Sequence, residues 1–245
     1  MSETNALSIT PTQPKSGALS APERRRRWFE LALVLLVAFG GAIFGAIYSF
    51  ASGATTISGL SIGAREAYDL IREATVLLLL AYVLSRRHLG FKSLGLRWSM
   101  RDVLIGVLLV AASYGAYRFG VQAVRYVDLM IFLSQPTYRP ASAFFGHPGW
   151  FGVAFALFNP FFEELIVRAY LMTEIIELTG SASVAVISSV ALQSIYHLYY
   201  GWAGVLVLAC QFLVFSLYFA RWRRALPIVV AHGFFDVYAV IRLMY

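Results

Sequence analysis

The chain has 245 residues, of which 59% are hydrophobic and 13% charged, and it carries a formal net charge of +7 at pH 7. A soluble domain is about a quarter charged, so too little polar sequence remains here to build a large one. The basic excess does not point to nucleic acid, because the arginines cluster at the ends of apolar runs, as orientation signals of membrane proteins do. The single cysteine, Cys210, excludes an internal disulfide and a cysteine-rich metal site.

In chain order, residues 1–27 form a cytoplasmic tail. Its first part is rich in Ser, Thr and Pro and is expected to stay disordered; its end is the block Arg24-Arg25-Arg26-Arg27. The apolar run after this block, about 22 residues, exceeds the h-region of a signal peptide and predicts a first spanning helix. A second span is expected over 64–84. Its first half carries Arg65, Glu66, Asp69, Arg72 and Glu73, whose i,i+3 and i,i+4 spacings read as ion pairs on a solvated helix end. The basic segment RRHLGFKSLGLRWSMR reads as a loop on the anionic cytoplasmic leaflet.

The third span is expected over 102–124. Residues 125–148 are punctuated by Pro136, Pro140 and Pro148 and read as a loop, long enough to hold a re-entrant segment. A fourth helix starts near Trp150 and runs to Gly180, a C-terminal stop. The fifth, sixth and seventh are expected over 182–199, 203–220 and 225–244, with RWRR between the last two. The fold class is therefore all-α: a polytopic transmembrane bundle of about seven (six to eight) spanning helices with a polar cavity between them. Alternation from an N-terminus inside puts RRHLGFK and RWRR on the cytoplasmic side together, with the arginine block. The expected location is a cell membrane, of the bacterial plasma-membrane type.

Three of these helices carry groups that are costly in a bilayer. The fourth has Glu163, Glu164 and Arg168; the fifth has Gln193 and His197; the seventh has His232 and Asp236. Glu164 and Arg168 share a helix face at i,i+4, while Glu163 lies about 100° away and is free to point elsewhere. Glu163 stands 17 residues before Gly180 and His197 stands 17 after it, which puts both at one depth, about 25 Å from the turn. His232 should sit shallower, unless the TEIIELTG end of the fourth helix projects from the membrane. Charges on three helices need one shared cavity, since each alone is prohibitive.

A carboxylate with an imidazole can hold and deprotonate water. A second histidine with a carboxyl group or amide can serve a developing oxyanion. Two His and one Glu, here His197, His232 and Glu163, could alternatively hold Zn²⁺ with an open position for water. No HExxH is present. Cofactor use is left open between zinc and a metal-independent glutamate mechanism.

EELIVR (163–168), QSIYH (193–197) and HGFFD (232–236), in this order and setting, resemble the CPBP family of CAAX proteases and bacteriocin-processing enzymes, which includes the type II CAAX prenyl endopeptidases. SLGLRW (93–98) is similar to a loop of the same family. The resemblance spans about 90–245 and leaves 28–84 as two variable N-terminal helices. It implies an intramembrane peptidase in which Glu163 and His197 activate water, His232 and Asp236 form or orient the oxyanion site, and Glu164 and Arg168 support them. Gln193 stands where the family often has Phe, Ala169 where it usually has Gly, and Asp236 where the eukaryotic members have Asn. The implied partners are the lipid bilayer and a membrane-associated peptide or protein substrate, prenylated or bacteriocin-type. Two other function classes fit the same residues: a non-catalytic scaffold, immunity or regulatory protein, and a proton-coupled transporter, the latter disfavoured by the lack of an internal repeat.

Overall fold

The computed structural model describes residues 19–53, 61–131, 139–140 and 142–245. Seven long helices dominate them: α1 (Ala21–Ser52), α2 (Ile62–Ser85), α3 (Met100–Ile131), α4 (Trp150–Thr179), α5 (Ala182–Tyr196), α6 (Gly201–Trp222) and α7 (Leu226–Met244). No strand occurs among the described residues. Most of 1–27 lies outside the described residues, but the helix starts earlier than expected. Ser20 accepts a hydrogen bond from the Glu23 backbone N–H, and Pro22 and Glu23 occupy the first turn. These are helix-starting signals, and they fold Arg24–Arg27 into α1. The expected loop over 125–148 is also shortened, because α3 continues to Ile131; residues 132–138 and 141 lie outside the described residues.

By length and composition α1, α3, α4, α6 and α7 can each cross a membrane. The polar first half of α2 keeps it out of that group. The 15 residues of α5 span only about 22 Å, and a 3₁₀ turn (Leu198–Tyr200) continues it. The helix stops at Tyr196, short of the expected 199, because His197 leaves helical geometry (φ −98°, ψ 6°). Gly180 ends α4 at φ +74°, as its position in the sequence implies, and Ser181 caps α5 through the Val184 N–H.

The centre of the bundle is α4. Of its apolar window 56% is buried, as for α6, against 22% for α3, so α4 and α6 are core elements and α3 a peripheral one. The first half of α4 lies between α2 and α7, its second half packs on α5, and α1 closes over α5. Arg168 is among the largest fully buried side chains, in company with Tyr170, Phe39 and Phe162.

The three basic segments gather at one end of the bundle. Arg27 of α1 pairs with Glu174 at 2.9 Å and with Glu177; Arg87, just past α2, pairs with Glu174 at 2.7 Å and with Glu30. Arg223, in the α6–α7 turn, donates to the Thr173 hydroxyl at 3.1 Å. The α2–α3 loop meets the same turn at Gly95, whose carbonyl accepts from the Ala225 N–H at 3.1 Å. Gly95 has φ +84°, and a Cβ there would stand 2.1 Å from the Arg223 carbonyl oxygen, so this approach excludes every other residue. The tail of α4 thus ends in the charged cap of the bundle. His232, expected to sit shallower, lies beside Glu164.

Candidate active site

The polar residues of α4 sit where its backbone changes. The helix is regular through Glu163, then widens to a π-helical turn over Glu164–Tyr170, in which the Leu171 N–H donates to the Ile166 carbonyl. All seven residues of the turn are buried. Such turns insert one extra residue and are frequent at functional sites. Here the turn lets Glu163 and Glu164 both point into protein, toward different neighbours.

Glu163, 8% exposed, faces α5. Its Oε2 accepts from Gln193 Nε2 at 2.8 Å and from the Tyr196 hydroxyl at 2.7 Å. The equal-depth expectation therefore holds for this pair of helices. Tyr196 is held in turn by α1, where Phe39 stacks on its ring at 4.6 Å and 5° and also lies 5.4 Å from the Phe162 ring.

Glu164 faces α7. Its Oε1 accepts from Arg168 at 3.1 Å, the i,i+4 pair expected, and lies 2.6 Å from His232 Nδ1. Glu164 and Arg168 are fully buried. The Arg168 guanidinium lies over Phe212 and Phe215, 5.6 and 5.8 Å from their ring centroids, where desolvation strengthens the attraction. The second nitrogen of His232, Nε2, is 3.4 Å from Asp236 Oδ1, and Asp236 Oδ2 accepts from Asn159 Nδ2 at 3.1 Å. With both ring nitrogens facing carboxylates, His232 is an oriented group between α4 and its own helix.

His197 sits at the break after α5. Its Nδ1 is 2.9 Å from the Gln193 carbonyl. The carbonyl can only accept, so Nδ1 carries the proton and Nε2 keeps its lone pair. The ring is walled by Tyr196, Tyr199 and Phe212 at 4.7, 5.7 and 5.2 Å between centroids. It lies within electrostatic reach of Glu163, His232 and Asp236. Gln193 contributes to His197 through its backbone, while its side chain serves Glu163.

Three residues not expected at the site lie in or beside it. Tyr196 and Asn159 bond directly to expected members. Glu73 of α2, read from sequence as part of a solvated helix end, is fully buried, and neither of its oxygens has a hydrogen-bond partner. Arg72 lies 3.6 Å from it and donates to the Ala38 carbonyl at 2.6 Å, and Glu163 and Asp236 are close enough to act on Glu73 electrostatically. The expected i,i+3 pair forms between Asp69 and Arg72 at 3.5 Å, both half-buried, while Glu73 is turned inward where α2 packs along α4.

The zinc alternative meets a different result. Among the described residues no three of His, Cys, Asp or Glu stand in an arrangement that could hold a metal ion. Of the expected set, His232 has both ring nitrogens facing carboxylates, Glu164 at 2.6 Å and Asp236 at 3.4 Å.

A bundle of long apolar helices closed around buried carboxylates and imidazoles is a multi-pass membrane protein with an internal polar site. Residues 145–238 match the family model described as type II CAAX prenyl endopeptidase Rce1-like. The matched stretch holds EELIVR, QSIYH and HGFFD; α1, α2 and α3 lie before it. Comparison with curated proteins and with solved structures gave no match.

Proposed function

We propose that the chain is an intramembrane endopeptidase that hydrolyses a peptide bond of a membrane-associated substrate. The observation that carries this reading is the setting of Glu163: a carboxylate fixed through one oxygen by Gln193 and Tyr196, beside an imidazole with its Nε2 lone pair available. Both bonds fall on Oε2, which leaves Oε1 to face a water. Glu163 takes a proton from that water, aided by His197, as the oxygen–carbon bond forms at the substrate carbonyl. The carbonyl electrons move to oxygen, on the side of His232 and Asp236. When the C–N bond breaks, Glu163 returns the proton to the leaving nitrogen. Glu164 and Arg168 support this arrangement by holding His232 and the π-helical turn.

The family description names prenyl endopeptidases, so a prenylated C-terminal peptide is the first substrate to test, with bacteriocin-type precursors next. The purified protein in detergent or lipid should cleave a membrane-adjacent peptide from such a set and should go on doing so with a chelator present. A wild-type protein silent on every peptide favours a scaffold, and loss of cleavage on chelation restores the metal route. The basic end is proposed to be cytoplasmic; reporter fusions at residues 88 and 222 should then both read inside, and a split result would break the topology.

Tyr196→Phe removes one of the two hydrogen bonds on Glu163 and leaves the stack with Phe39 intact. A hydrogen bond to a charged group is worth about 1.5–3 kcal/mol, so turnover should fall by about tenfold or more with melting little changed. Full turnover would show that Gln193 alone suffices.

A further inference from the structure

We propose that Asn159 is a catalytic residue of this site, its side-chain amide donating the hydrogen bond that stabilises the oxyanion formed on the substrate carbonyl. This deepens the protease reading and rests on it.

Peptide hydrolysis needs a donor where negative charge develops. The two groups on α7 are poorly equipped to be that donor. His232 Nδ1 is engaged by Glu164 at 2.6 Å, and its Nε2 faces Asp236 Oδ1 at 3.4 Å. Asp236 accepts at Oδ2 from Asn159, so in this contact the carboxylate is the acceptor and the amide is the donor. A primary amide carries two N–H hydrogens. One goes to Asp236, which fixes the orientation of the group; the other remains.

Placement agrees with this role. Asn159 is one turn before Glu163 on the regular part of α4, and i,i+4 residues share a face, separated by about 6 Å along the axis. A carbonyl bound between them presents its carbon to water held at Glu163 and its oxygen to Asn159. Asn159 is 8% exposed, as is Glu163, and the side chain of Asp236 is 25% exposed, so Asn159 is as buried as the proposed base and Asp236 is the more accessible member of the pair. In the chemical step the carbonyl π electrons move to oxygen as water's oxygen adds to carbon. Asn159 shares a hydrogen with that oxygen and transfers none, and the electrons return when the C–N bond breaks.

The experiment compares wild type, Asn159→Leu, and Asn159→Leu combined with Asp236→Asn, each with melting measured in detergent. Leu keeps the volume and removes both donors. The second change returns an amide to the same corner from α7. Asn159→Leu should lose about 10²–10³-fold in kcat, the usual worth of one oxyanion donor, with KM changed only a few-fold. The double variant should recover at least tenfold over the single one. Wild-type cleavage by a folded Asn159→Leu overturns the assignment. So does a loss of kcat or of folding that the double variant leaves unrepaired, since a structural amide at 159 is not replaced from 236. If wild type cleaves no peptide, the protease reading falls, and this inference falls with it.

Discussion

Glu163→Gln should reduce turnover by about 10²–10⁴-fold, the range that general-base catalysis supplies, while the protein still folds. Gln preserves the shape of the side chain, and its carbonyl oxygen can still accept from Tyr196 and Gln193, both buried partners that would otherwise be orphaned. What it cannot do is take a proton from water. His197→Ala should cost a similar factor, because it removes the Nε2 acceptor that shares the water. If the two act as one unit, the double variant should be little worse than either alone. The assay is cleavage of a membrane-adjacent peptide by purified protein, with melting recorded for each variant. A well-folded Glu163→Gln that cleaves at the parental rate would remove Glu163 from the chemistry and, with it, the proposed water site.

The second large effect is on stability. Arg168→Ala leaves Glu164, a fully buried carboxylate, to His232 alone and opens a cavity between Phe212 and Phe215. Breaking one half of a buried ion pair costs about 3–5 kcal/mol, so yield and thermal stability in detergent should both drop. Removing both charges in Arg168→Met with Glu164→Gln should be milder than the single change, because no uncompensated charge remains. Stability of Arg168→Ala equal to the parent would mean that the pair does not hold the turn.

Five of the seven helices were legible because lipid selects long apolar runs, α2 and α5 were legible from shorter ones, and helix ends were legible where Gly180 or a basic cluster marks them. The depth match between Glu163 and α5 came from residue counting about Gly180. Other features left no local trace. The stretch ELIVRAY is buried all round, so its hydrophobicity has no period from which a π-helical turn could be read. Glu73 looked solvated because its neighbours make plausible i,i+3 and i,i+4 pairs; only the packing of α2 along α4 turns it inward. Tyr196 and Asn159 are ordinary residues in apolar runs, and they acquire meaning from Glu163 and Asp236, each more than 30 positions away in the sequence. The zinc set was suggested by residue types, and among the described residues its members do not stand as a group that could hold a metal ion.

The widened turn of α4 also ties two distant parts of the bundle together by chain length. Before it lies Glu163, pointing at α5; after it lies Glu174, clamped by Arg27 and Arg87. Each residue in a helix rotates the chain beyond it by about 100°. Because the widened turn already holds one residue more than ordinary helix, losing one apolar residue within 164–170 would let the segment relax to ordinary helix with Glu163 and Glu174 nearly in phase with their partners, and the change would fall on Glu164 and Arg168 inside the turn. The tolerance for spacing is therefore uneven along α4: the turn can give up a residue and keep its ends in register, whereas a loss or gain in the ordinary helix between Leu171 and Glu174 would rotate Glu174 by about 100° away from Arg27 and Arg87.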